Sequence, residues 1–234
     1  MHTATNKLCM WLGLAGALLF FIGLVIAGFF PPPAPSLGAA EIAAIYQANI
    51  TNIRIGVLII MISGVFALAP VPVIAGFVKR IEGSEMPTMT YLVLLGGLTN
   101  VLVFIFPGLL FIVTAYRPDR PPEITLLMND FSWFITVLAW PGAFIQCVAT
   151  ATAILRSPTQ TLLPRWLAYF HLWAAVLFLP SSLMPFFKTG PFAWNGLFAF
   201  WIPGTLFFAW YIVILVVFLK AIDRDAARLN ETPG

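Results

Sequence analysis

Six times along the chain, about twenty or more mostly apolar residues follow one another with no charge in the middle of the run. The runs cover approximately residues 8–30, 53–78, 88–115, 132–155, 166–187 and 197–221. Wound as an α-helix rising about 1.5 Å per residue, each crosses a hydrocarbon layer about 30 Å thick. The apolar residues are continuous. A barrel strand would alternate between lipid-facing and lumen-facing residues, so barrels are excluded. The sequence predicts an all-α fold, a polytopic membrane helical bundle of six transmembrane helices. Residues 1–234 are expected to form a single transmembrane domain, with outer loops at 31–52, 116–131 and 188–196.

Composition agrees. Of 234 residues, 61% are hydrophobic and 9% are charged, where a soluble domain carries about 25% charged residues. That little charge does not cover a water-soluble surface, and a disordered chain or coiled coil needs more polar residues still. The net charge of +3 comes from scattered basic residues, so no nucleic-acid-binding stripe is present. Cys9 and Cys147 both lie in apolar runs and give no disulfide framework. The first run is longer than the roughly 7–15 apolar residues of a signal peptide. It ends at Pro31-Pro32-Pro33 and is read as a retained span.

Orientation follows from the positive-inside rule. With the N-terminus in the cytoplasm, Lys7, Lys79, Arg80, Arg156, Arg165, Lys220, Arg224 and Arg228 fall inside. Arg54, Arg117, Arg120 and Lys188 fall outside. Both termini are therefore expected to be cytoplasmic. Trp133 and Trp166, at span ends, are expected to anchor at the membrane interface, as are Phe192 and Trp194 in the third outer loop.

The first outer loop leaves the membrane through a stiff proline run and then reads as a short helix over 39–49, lying on the membrane surface. In the second, Asp119, Pro121-Pro122 and Glu123 form a helix start that runs into span four through Asn129-Asp130. With Tyr116-Arg117-Pro118, Pro122-Glu123-Ile124, Asn129-Asp130, Pro164-Arg165-Trp166 and the stretch from Phe187 to Gly196, the C-terminal half resembles a group of uncharacterised bacterial six-span integral membrane proteins. The resemblance implies a bacterial inner-membrane location and transfers no functional residue.

Spans two to six each hold proline away from their ends: Pro70 and Pro72, Pro107, Pro141, Pro180 and Pro185, and Pro203. Each removes a backbone hydrogen bond and is expected to kink its helix. Kinks in successive helices predict a bundle that bows open around a central cavity. Small residues four apart, Gly13 with Ala17, Gly23 with Ala27 and Ala149 with Ala153, mark close helix packing within the chain.

Inside the spans the polar inventory is short. Asn100, Gln146, Thr150, His171, Ser181 and Ser182 are the candidate ligand contacts. Gln146, Thr150 and Ala153 share a helix face that would form a polar layer if it met His171. At the outer mouth the candidates are Arg54, Asp130, Lys188, Trp194 and Asn195. No histidine cluster, zinc-helix motif or phosphate-binding glycine loop is present, so no metal or cofactor is expected. No charged residue lies in the core of a span to serve proton coupling, and no ring of charges forms an ion filter.

These features favour binding or facilitated transport of an apolar small molecule or lipid, in a cavity among kinked helices with a few polar contacts. One alternative is a non-catalytic partner subunit of a membrane complex, or a homo-oligomer, using its small-residue ridges and aromatic faces as interface. Another is an enzyme with an outward-facing site near Asp130. A cavity of several hundred cubic ångströms lined by the named polar residues supports the first, and a closed, dry bundle with an exposed flat aromatic face supports the second. Asp130 bonded to Lys188 or Arg54 in a concave pocket supports the last.

Overall fold

The computed structural model describes residues 3–157 and 162–231; His2 lies outside them. The described residues are helical, without strands. Six segments are long and apolar enough to cross a bilayer: Thr3–Ile26, Ile50–Glu82, Thr88–Tyr116, Pro122–Arg156, Arg165–Phe186 and Leu197–Arg228. They match the six apolar runs, with ends shifted by up to about ten residues where a helix continues beyond the apolar core.

The regular helices are α1 (Thr3–Ile26), α2 (Ala39–Ala48), α3 (Ile50–Leu68), α4 (Pro70–Glu82), α5 (Thr88–Tyr116), α6 (Pro122–Leu138), α7 (Trp140–Arg156), α8 (Arg165–Phe178) and α9 (Ile202–Glu231). Span two is α3 and α4, interrupted at Ala69 just before Pro70. Span four is α6 and α7, interrupted at Ala139 two residues before Pro141. Span five tightens from α8 into a 3-10 segment, Leu179–Phe186, that contains Pro180 and Pro185. Span six opens with a π turn, Leu197–Trp201, just before Pro203. Four of the five proline sites thus coincide with a departure from α geometry. The exception is Pro107, carried inside an unbroken α5.

The spans pack as a ring in chain order: α1 on α3, α3 on α5, α5 on α7, α7 on α8, and α9 back on α1. Glycines set the closest crossings. A Cβ on Gly23 would lie 2.6 Å from the Gly56 carbonyl oxygen, and one on Gly96 2.8 Å from the Gly142 oxygen. In lipid, where apolar burial drives little association, such backbone approach supplies the dispersion contacts. The ridges at Gly13, Gly23, Ala149 and Ala153 all pack within the chain.

α1 ends in a Schellman motif. Phe29 N–H donates to the Leu24 oxygen (2.8 Å) and Gly28 N–H to the Val25 oxygen (3.1 Å). Gly28 sits at φ +70°, which a glycine adopts without strain. The turn sends the chain back over the bundle and buries Phe29 against Tyr46, Phe111 and Trp133. α2 forms where expected and packs one face on the protein. Ile42, Ala43 and Tyr46 are buried, and the Tyr46 hydroxyl donates to Asn129 Oδ1 in α6 (3.2 Å). α6 continues from the second outer loop into span four. Its Ile124 and Leu127 face outward, while Thr125, Asn129 and Ser132 face the interior.

At the end of the bundle where both described chain ends lie, Lys7 pairs with Asp223, and the Arg80 guanidinium grips Asp225 through both nitrogens (Nη1 to Oδ2, 2.7 Å). Those pairs hold spans one and two to span six and put both ends of the described chain on one side. Glu82 accepts from Met89 N–H, Thr90 N–H and the Thr90 hydroxyl at 2.7–2.9 Å, capping the start of α5.

Candidate functional site

The irregular segments of spans four, five and six lie at similar depth and surround a chamber of about 110 Å³. Ala139 comes from the break in span four, Ser181 from the 3-10 segment, and Ala199 and Phe200 from the π turn. Phe20 and Phe21 of α1, and Asn100 and Phe104 of α5, complete the wall. The prolines thus place the chamber: where a helix departs from α geometry its neighbour no longer fits, and space is left. Phe20, Phe104 and Phe207 meet edge-on or tilted at 5.1–5.9 Å and form an aromatic wall.

Three polar side chains reach the chamber. The Thr136 hydroxyl is used, donating to the Ser132 oxygen (2.8 Å). The Asn100 amide and the Ser181 hydroxyl make no side-chain hydrogen bond among the described residues. A dry apolar cavity of about 150 Å³ holds a benzene-sized molecule, and drug-sized pockets run from about 300 Å³. The chamber alone therefore suits one ring or a short chain.

It does not stand alone. On its lipid side a groove of about 350 Å³ runs between spans one and six, with Leu18, Phe30 and Trp201 exposed along it. Chamber and groove share Phe21, Phe200 and Gly204. Gly204 contributes no side chain, and the nearest atom to a Cβ there would be Phe21 Cζ at 3.9 Å. The partition is thus two phenylalanine rings, Phe21 and Phe200, beside a glycine.

The structure divides the remaining interior candidates. Gln146 lines a void of about 10 Å³ that adjoins the chamber through Asn100, Ala143, Phe178 and Phe207, and its amide lies over Gly97. Thr150 is buried deeper and donates to the Gln146 backbone oxygen (2.8 Å). His171 is fully buried. Its Nδ1–H donates to the Leu167 oxygen (2.8 Å), which leaves Nε2 as a lone-pair acceptor without a partner. The imidazole meets Trp210 of α9 edge-on, 6.0 Å between centroids. Among the described residues no hydrogen bond joins it to Gln146 or Thr150. Ser182 is half-buried and lies outside the chamber wall.

The outer-mouth candidates form no hydrogen-bonded cluster, although Lys188 lies near enough to act on the Asp130 carboxylate. Arg54 Nη2 donates to the Ala115 and Tyr116 oxygens (2.9 and 3.1 Å), closing the C-terminal end of α5. Asp130 accepts only a long contact from Asn129 Nδ2 (3.4 Å) and forms no ion pair with Lys188 or Arg54 among the described residues. Lys188 is exposed and Asn195 half-buried. Burial, with the Asp130 carboxylate adding to it, holds the Tyr46 phenol above its ordinary pKa, so Tyr46 stays a donor to Asn129.

Two tryptophans depart from the expected interfacial belt. Trp194 is buried, and its Nε1–H donates to the Pro33 oxygen (2.7 Å). Trp133 is fully buried and lies parallel to Trp194 at 6.4 Å. The proline run and the third outer loop fold over both indoles and shield them from the interface. Trp166 remains 52% exposed at its span end.

Phe21, Phe200, Phe207 and Gly204 were not singled out by the sequence. The signal that could have found them is the common depth of Pro141, Pro180 and Pro203. No protein-family model, no curated protein and no solved structure matches this chain.

Proposed function

We propose that this multi-pass integral membrane protein binds an apolar small molecule or lipid, entering sideways from the bilayer through the groove between spans one and six. The observation that carries the reading is the shared wall of chamber and groove, thin at Phe21 and Gly204, with unpartnered Asn100 and Ser181 beyond it. An apolar body would fill the aromatic chamber and groove. One hydrogen-bonding group on it would meet the Asn100 amide and the Ser181 hydroxyl, which suits the usual division of labour in ligand sites. Moving the Phe21 ring would open the path, and closing it would seal the ligand in. Facilitated transport extends the same cycle by releasing the ligand at another depth. The chain acts in this reading as one transmembrane domain.

Native mass spectrometry of the detergent-extracted protein tests the reading. A stoichiometric apolar adduct, weakened by Asn100→Leu, is the expected result. A protein free of adducts, which also fails to take up any apolar compound from a screened set, would overturn it.

The partner-subunit reading is favoured by a different observation. Trp166, Tyr169, Trp173 and Val176 form an exposed stripe on one face of α8, spaced three and four apart. A co-extracted protein or a stable dimer in the same spectra, lost on Trp173→Ala, would establish it.

A further inference from the structure

The ring of spans closes least tightly between five and six at its inner end. A second groove of about 300 Å³ opens there to the lipid, remote from the chamber. Its floor is one ridge of α9. Ile212, Val216, Lys220 and Arg224 follow at intervals of four and so stack on a single helix face. The first two are apolar and exposed, the last two cationic and exposed. Val213 and Val217 widen the apolar part, and Trp166 at the start of α8 forms the opposite lip.

We propose that this groove is a binding site for one anionic phospholipid of the inner leaflet. Length supports it. From Ile212 to Arg224 the helix rises about 18 Å, close to the roughly 15 Å of hydrocarbon in one leaflet plus the headgroup level. An acyl chain lies along Ile212 and Val216, and the phosphate reaches Lys220 and Arg224. Trp166, an amphipathic ring at the interface, covers the glycerol region.

Charge supports it equally. The carboxylates on this stretch of α9 are engaged elsewhere, Asp223 by Lys7 and Asp225 by Arg80. Lys220 and Arg224 form no ion pair among the described residues. Arg224 reaches only backbone oxygens at long range, Lys220 at 3.3 Å and Leu162 at 3.4 Å, which hold the guanidinium across the mouth. Two cations one turn apart above an apolar trough match one phosphodiester and its chains. A zwitterionic lipid brings an ammonium that the same cations repel.

The test is competition in nanodiscs holding equal amounts of dioleoyl phosphatidylglycerol and dioleoyl phosphatidylcholine, read by native mass spectrometry of the released protein. The wild type retains the anionic lipid in preference. Each of Lys220→Gln and Arg224→Gln lowers that preference by roughly fivefold, and the double variant removes it. Lys79→Gln, an exposed inner cation outside the groove, leaves it unchanged. Val216→Trp fills the trough with both cations intact and also removes the retained lipid. Equal retention of both lipids by the wild type, or an undiminished preference in the double variant, would overturn the proposal. So would a loss with Lys79→Gln as large as with Lys220→Gln, since general surface charge would then suffice.

Discussion

Gly204→Leu separates a ligand chamber from a packing defect. Gly204 is helical and stands in the partition between chamber and groove. A Cβ there meets the Phe21 ring edge, Cζ at 3.9 Å and Cε1 at 4.0 Å, both ordinary contacts. The leucine side chain therefore has room and projects into the space a ligand would use. An empty chamber of about 110 Å³ costs roughly 2.6 kcal/mol at ~24 cal/mol per Å³ of cavity. The four added carbons fill most, but not all, of that space and recover most of the lost dispersion contacts. The helix propensity gained over glycine and the rotamer freedom lost by a buried leucine are each about 0.5–1 kcal/mol and nearly cancel. The variant, freed of ligand, should thus be more stable than the ligand-free wild type by about 2 kcal/mol, while binding the ligand at least tenfold more weakly.

Gly56→Ala supplies the contrast. Its Cβ would lie 2.5 Å from the Ala27 backbone nitrogen, so α1 and α3 must separate, at a cost of about 1–3 kcal/mol. Thermal unfolding in detergent followed by tryptophan fluorescence, paired with adduct counting by native mass spectrometry, reads both effects. If Gly204→Leu destabilises as Gly56→Ala does, or keeps its adduct undiminished, the reasoning about the partition fails.

Other expectations follow from single contacts. Ser181→Ala should leave stability within about 0.5 kcal/mol, because the hydroxyl has no partner to lose, yet weaken a polar-headed ligand by several-fold in a binding titration. Arg80→Gln removes the partner of the nearly buried Asp225 carboxylate and should cost about 1–3 kcal/mol in detergent unfolding; the half-exposed guanidinium keeps this below the fully buried case. Tyr46→Phe loses the hydrogen bond to Asn129 and should cost about 1 kcal/mol, with faster amide exchange in α2 as a second readout.

How much of this was legible in the sequence depends on the range of the interaction. The spans were, because a bilayer demands a long apolar run wherever a helix crosses it. The breaks near Pro70, Pro141, Pro180 and Pro203 were, because proline acts on its own helix. Gly13 with Ala17 and Gly23 with Ala27 announced themselves as pairs, whereas Gly56 and Gly142 pack as single residues against a neighbour and leave no periodic mark. Trp133 and Trp194 read as interfacial because tryptophan at a span end usually is. What buries them is the segment carrying Pro33, 161 positions from Trp194, and chain folding at that separation has no local signature. The site was half-legible. Asn100 and Ser181 were named among the interior polar groups and do face the chamber. His171 was expected toward Gln146 and Thr150. Its ring meets Trp210 edge-on and makes no hydrogen bond to either, because the direction of a buried side chain is set by packing over the whole helix surface. The phenylalanines that form most of the chamber wall were hidden among 22 in the chain.

The most direct measurement places a photoreactive phenylalanine at position 207, in the chamber wall, and another at position 65, where Val65 is 68% exposed to lipid. Both proteins are illuminated in native membranes, and the adducts are identified by mass. Lateral binding predicts that position 207 captures one apolar species at high yield, distinct from the mixed lipids captured at 65, and that Gly204→Leu abolishes it. No adduct at 207, or the same lipid mixture at both positions, would contradict the account.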